Sequence, residues 1–222
     1  SLLAIPFFIL LGTLLGATAV ARRLLALADL LVGRIRGGMG HTNVMLSTLM
    51  GGISASNLAD AAMATRMIVP QMIRQGYSRG AASAITACGS LITPIIPPGI
   101  ALIIYGLVAD VSIGSMFMAG IVPGLLLCVL LLIAVYIYAR RRGIPASRDS
   151  WPTASETRSV LFQAWPALVL VVVIVGGIRM GIFTPTEAGA IAILMTLIIG
   201  FFIYRDMKPA DVGRALGDTA RQ

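Results

Sequence analysis

The stretch Cys88-Gly-Ser-Leu-Ile-Thr-Pro-Ile-Ile-Pro-Pro-Gly99, followed by Ile100-Ala-Leu-Ile-Ile-Tyr-Gly106, decides how the rest of the chain is read. It lies inside one long apolar segment covering residues 81–109. Pro94, Pro97 and Pro98 lack the N–H that a helix interior needs, and each pushes the residue before it away from helical dihedrals. A membrane-length helix containing them must open at membrane depth. Lipid offers opened backbone no hydrogen bonds, so the freed peptide groups have to be buried in protein or line a cavity. A spanning helix broken in this way is a binding-site signal.

Composition puts this stretch in a membrane protein. The chain of 222 residues is 58% hydrophobic and only 12% charged. Apolar runs near the ~20 residues needed to cross a bilayer cover residues 2–20, 81–109, 117–139, 161–178 and 187–204, whereas the run 44–50 is too short to cross alone. The net charge of +8 does not form a basic stripe interleaved with aromatics. The arginines stand beside apolar runs, as topology signals do, and nucleic acid is not an expected partner. Cys88 and Cys128 both lie in apolar runs, which argues against a disulfide framework. The chain reads as an internal piece of a longer multi-pass protein in contact with lipid.

The run 2–20 ends at Arg22-Arg23, which the positive-inside rule places in the cytoplasm. Residues 21–36 alternate Leu24, Leu25, Leu27, Leu31 and Ile35 with charged residues, the pattern of an interfacial helix. Residues 42–76 enter apolar, meet Gly51-Gly-Ile-Ser-Ala-Ser-Asn57 and return toward Arg66 and Arg74. With Arg36 before it and Arg79 after it, this segment predicts a re-entrant hairpin. Ser56 or Asn57 is placed to cap a return helix from Leu58, with Asp60 suiting its first turn. The broken helix then crosses outward to Asp110, and 117–139 crosses back to Arg140-Arg-Arg142. Residues 143–157, with Pro145 and Pro152, read as a cytoplasmic linker before two further spans, with Trp151, Trp165, Tyr136 and Tyr138 at the interfaces.

Two opened backbones at similar depth suit a small hard cation, which prefers oxygen ligands. Ser54, Ser56, Asn57, Ser90 and Thr93 supply side-chain oxygens, and Gly52, Gly89 and Gly99 allow close backbone approach. Half-helix N-termini at Leu58 and Gly99 favour an anionic substrate. Asp60 and Arg66 are charges beside the membrane and so candidate functional residues, with capping for Asp60 and a snorkelling or cytoplasmic position for Arg66 as the favoured readings. Thr184-Pro-Thr-Glu187 fits a capping box, and Arg179 an interface anchor. His41 is the only histidine, so the chain predicts no transition-metal site. No convergent carboxylate pair or nucleophile motif accompanies it, and the reading is of a protein that is not an enzyme.

Several motifs taken in order resemble the large membrane subunit of tripartite ATP-independent periplasmic (TRAP) transporters. They are Ile5-Pro-Phe-Phe-Ile-Leu-Leu-Gly12, Gly51-Gly-Ile-Ser-Ala-Ser-Asn-Leu-Ala-Asp-Ala-Ala62, Ile68-Val-Pro-Gln-Met72 with Gly76-Tyr77, the segment 94–106, Gly120-Ile-Val-Pro-Gly124, and Gly181-Ile-Phe-Thr-Pro-Thr-Glu-Ala188. Ala55 stands where the family's Ser-Gly-Ser has glycine, and Asn57 where a small residue is common. The resemblance implies an all-α polytopic membrane protein of elevator type in the bacterial cell inner membrane. Its inverted repeats would each contain a re-entrant helical hairpin and a broken transmembrane helix. Residues 1–142 would hold most of the first repeat, 143–160 a cytoplasmic linker, and 161–222 the truncated start of the second.

The resemblance further implies sodium as the coupling ion, with no other cofactor. The sodium-site region would comprise Ser54, Ala55, Ser56, Asn57, Gly89, Ser90, Thr93 and Pro94, with Asn57, Pro97, Pro98 and Gly99 on the substrate side. Implied partners are a small membrane subunit and a periplasmic substrate-binding protein that delivers an organic acid anion, such as a C4-dicarboxylate or sialic acid. The alternative is an anion transporter that needs no binding protein, or an ion channel of related broken-helix architecture.

Overall fold

A computed structural model of the chain describes residues 3–16, 18–51, 57–148, 150 and 152–220. Among these residues the secondary structure is entirely helical. The first three helices are α1 Ala4–Gly16, α2 Val20–Val32 and α3 Gly38–Gly51. Then come α4 Asn57–Met67, α5 Val69–Arg74, α6 Arg79–Ser90 and α7 Ile100–Val108. The chain continues through α8 Ile113–Arg142, α9 Ala154–Arg179, α10 Pro185–Ile198 with a π-helical extension Ile199–Ile203, and α11 Pro209–Thr219. This is an all-α membrane protein.

Among the described residues, three helices are long and apolar enough to cross a bilayer: α8, α9 and α10 with its extension. They contain the predicted spans 117–139 and 161–178 and all but the last residue of 187–204. Residues 154–160, placed in the linker by sequence, form the first turns of α9. The predicted first span is corrected: α1 has 13 residues, a length of about 20 Å against about 30 Å of hydrocarbon. Its axis differs by 75° from that of α2, so the two would make a crossing only as a bent pair.

Local chemistry sets the helix ends. Ser78, Ser112 and Thr153 each accept a backbone N–H of the first turn that follows. The Thr184–Glu187 capping box is present, with Pro185 inside the first turn, which satisfies N–H groups a helix start leaves open. α8 ends at Arg140, Arg141 and Arg142, whose charges suit a helix C-terminus. Gly143 follows at φ +66°, a dihedral that costs glycine little.

The helices pack in two groups. α3, α4, α5, α6 and α8 pack around α3, with α7 held against α8 and also touching α1, while α1, α9, α10 and α11 form the other group. α2 lies between, packed on α3 and on α9, as its amphipathic pattern requires. α3 is buried along almost its whole length, from Gly38 and Met39 to Met50 and Gly51. The groups also meet through Phe8 of α1 and Phe117 of α8, whose rings pack edge to face at 6.5 Å, a favoured aromatic geometry.

Candidate functional site

The predicted break is present. α6 stops at Ser90 and α7 starts at Ile100, with Gly99 in extended geometry at its N-cap. Turn bonds run from Ile92 to Gly89, from Thr93 to Ser90, and from Ile95 and Ile96 to Ile92. The carbonyls of residues 93–98 receive no backbone N–H among the described residues. Pro94, Pro97 and Pro98 have none to give, so this stretch carries open acceptors beside a buried interface.

Glycines let other elements close on it. A Cβ at Gly99 would stand 2.2 Å from the Pro94 carbonyl oxygen, and one at Gly51 would stand 2.8 Å from Ile96 Cβ and 3.4 Å from Thr93 Cα. The C-terminal end of α3 therefore abuts the break. α8 does the same from another side: Cβ atoms at Gly120 and Gly124 would stand 2.3 Å from the Ile95 carbonyl oxygen and 2.6 Å from Ile96 Cγ1. The i, i+4 spacing of these two glycines is visible in Gly120-Ile-Val-Pro-Gly124. Gly89 needs no such close approach, because its nearest neighbour, Ser47 Oγ, would lie 3.5 Å from a Cβ.

The polar side chains converge here. Thr93 is fully buried, and its hydroxyl lies 2.8 Å from Asp60 Oδ2, to which it donates, and 3.4 Å from the Ser47 carbonyl. Among the described residues Asp60, 1% exposed, has an Oδ1 that meets no hydrogen-bond donor, and the buried Ser47 hydroxyl beside it is likewise unpartnered. One turn back along α3, Asn43 Nδ2 donates to Thr86 Oγ1 at 2.7 Å while its Oδ1 has no hydrogen-bond partner among the described residues. Buried polar atoms left unsatisfied cost free energy, so this seam between α3, α4 and α6 has capacity to bind.

Of the sodium-site region, Asn57 starts α4, Gly89 and Ser90 end α6, and Thr93 and Pro94 lie in the break. Ser90 donates to Ala87 O within its own helix. Pro97, Pro98 and Gly99 are buried. Ser54, Ala55 and Ser56, with Gly52, lie outside the described residues. Of the two readings of Asp60, the structure favours the one beyond capping: it sits in the first turn of α4, yet its bonded oxygen reaches Thr93 of the broken helix. Asp60 also lines a cavity of about 440 Å³ with Gly12 and Gly16 of α1, Met50 of α3, and Met63 and Arg66 of α4. Arg66, expected to point away into solvent or cytoplasm, borders this space too.

A sequence model of the family described as "Tripartite ATP-independent periplasmic transporter, DctM component" matches residues 1–222. The chain is 39% identical to the sialic acid TRAP transporter large permease protein SiaM of Vibrio cholerae serotype O1, over 93% of the chain and 48% of that protein. It is 39% identical to the 2,3-diketo-L-gulonate TRAP transporter large permease protein YiaN of Escherichia coli K12, over 100% of the chain and 52% of that protein. To the C4-dicarboxylate TRAP transporter large permease protein DctM of Pseudomonas aeruginosa it is 36% identical, over 100% of the chain and 51% of that protein. The chain thus spans about half the length of the curated relatives it matches. An interrupted helix held against α3 and α8, and a match along the whole chain, lead to one assignment: this chain belongs to the DctM component family of tripartite ATP-independent periplasmic transporters, a family of permeases and not of enzymes.

Proposed function

We propose that the complete protein is the large subunit of a sodium-coupled secondary transporter in the bacterial inner membrane. It takes up an organic acid anion handed over by a periplasmic binding protein, and works with a small membrane subunit. The similar proteins' names support the substrate class, since sialic acid, diketogulonate and C4-dicarboxylates are all carboxylic acids. In this reading the arms α3 and α4 form a re-entrant hairpin, α6 and α7 are two halves of one crossing, and an elevator movement carries them between membrane faces. Sodium and substrate shift that equilibrium only through their different affinities for its end states.

The observation that carries the reading is the junction of Asp60, Ser47 and Thr93 beside the open carbonyls of the break. Asp60 makes no ion pair among the described residues, and a buried carboxylate without a counter-charge is costly. A sodium ion supplies that charge and accepts the oxygen ligands at hand. The test is uptake by the full-length protein, its small subunit and its binding protein in liposomes. An inward sodium gradient drives uptake, and Ser54→Ala with Ser56→Ala weakens the apparent affinity for sodium. Sodium dependence unchanged in that double variant would remove these serines from the site.

A further inference from the structure

Three buried oxygens along the seam between α3, α4 and α6 have no hydrogen-bond partner among the described residues: Asn43 Oδ1, Ser47 Oγ and Asp60 Oδ1. The sodium reading uses Asp60 and Ser47 and leaves Asn43 without a task. The Asn43 amide has a fixed direction. Thr86 donates its hydroxyl hydrogen to the Ala82 carbonyl at 2.9 Å, so it can only accept from Asn43, whose Nδ2 lies 2.7 Å away. The second amide hydrogen faces Met72 Sδ at 3.6 Å. With both hydrogens engaged, Oδ1 is left as a pure acceptor in a fully buried side chain. It stands one helical turn from Ser47 on the same face of α3.

Ser47 carries a hydroxyl hydrogen with no settled place. Thr48 and Thr86 donate theirs to the carbonyl four residues back, a local bond open to any helical hydroxyl, whereas Ser47 makes no such bond. Across the seam it meets Gly89, which has no side chain to accept. Two acceptors flank it: the Asp60 carboxylate on one side and Asn43 Oδ1 one turn back. A cation at Asp60 makes them unequal. A hydroxyl ligates a cation through a lone pair, so its hydrogen has to point away from the ion. A hydrogen given to Asp60 would occupy an oxygen that the ion needs. We propose that Asn43 is a positioning residue for the cation. Its Oδ1 takes the Ser47 hydrogen, directly or through one bridging water, and so turns the Ser47 lone pairs toward an ion at Asp60. Thr86 belongs to the same relay because it fixes the direction of the amide. The inference rests on the reading above that sodium binds at this junction.

Sodium titration of the full-length protein in lipid, read as the rise of its unfolding midpoint with choline holding the ionic strength, tests the relay. Each variant is referred to its own sodium-free melt, so plain loss of stability drops out and the half-saturating sodium concentration remains. Asn43→Leu raises that concentration about fivefold or more, the scale of one hydrogen bond at a charged site. Ser47→Ala raises it as well. Because Asn43 acts through Ser47, Asn43→Leu adds less than about twofold in the Ser47→Ala background, as coupled residues do. A half-saturating concentration unmoved by Asn43→Leu overturns the proposal, and so does a double variant in which the two single factors multiply. If Asn43→Leu does not fold, Thr86→Val frees the amide to turn and raises the concentration only where Ser47 is present. A rise in both backgrounds, or in neither, overturns the relay. A wild-type melt that ignores sodium rejects the sodium reading and this inference with it, whereas a normal wild-type response beside an indifferent Asn43→Leu rejects this inference alone.

Discussion

The interrupted pair α6–α7 and the continuous α8 lie side by side, and both contain proline. α8 runs unbroken from Ile113 to Arg142 with Pro123 inside it, and α9 likewise carries Pro166. A lone proline removes one helical N–H and crowds one carbonyl, and a membrane helix absorbs this where neighbouring groups take up the freed acceptor. Pro94, Pro97, Pro98 and Gly99 leave no complete turn between them, so the helix stops. The spacing of prolines, not their presence, separates the two. The unbroken helix is also shaped to hold the broken one, since Gly120 and Gly124 flank Pro123 and face Ile95 and Ile96.

That contrast is best broken at Gly120. Gly120→Ala drives a Cβ against the Ile95 carbonyl, backbone that cannot swing aside, and overpacking of this kind costs about 1–3 kcal/mol or more. The thermal unfolding midpoint of the full-length protein falls clearly, and an unmoved midpoint would mean that α8 does not brace the break. Thr93→Val comes next. It strips Asp60 of its hydrogen-bond donor at a cost of about 1–3 kcal/mol, whereas Thr93→Ser retains most of the stability in the same melt. Pro123→Ala has a smaller effect, because α8 already continues through this position: the stability read from the melt stays within about 1 kcal/mol of wild type or rises. A large fall there would show that Pro123 itself shapes the contact with Ile95. Gly89→Ala is the mildest, since its Cβ meets only ordinary contacts and alanine gains helix propensity of up to about 1 kcal/mol. A strong loss of stability would place Gly89 in the same tight class as Gly120.

How much is legible in the sequence follows from the range of the forces involved. The break is, because proline acts on its own backbone and its neighbour's, and Gly99 caps the start of α7 at Ile100. Helix starts at Thr184 and Ser112 depend on groups three residues apart. Asp60 is not legible as a partner of the break, because a first-turn carboxylate looks the same in sequence whether it faces its own helix or Thr93, 33 positions away. α3 starts at Gly38, ahead of the predicted residue 42, because Gly38 and Gly40 are the room that Ser147 and the Tyr77 hydroxyl occupy. That pairing exists only after the linker and the hairpin return have come together. Arg148 gives no signal either, since its partners Asp29 and Glu156 lie on separate helices.

The acceptors of residues 93–98 belong to the main chain, which has a consequence for how the protein can change. No substitution deletes a carbonyl oxygen, so drift at Ile95 or Ile96 preserves this set of open acceptors as long as bulk is kept. The vulnerable positions are those that contribute no side chain at all: Gly51, Gly99, Gly120 and Gly124 define the mould in which those oxygens are cast. A screen meant to change what these acceptors hold should therefore be aimed at the mould.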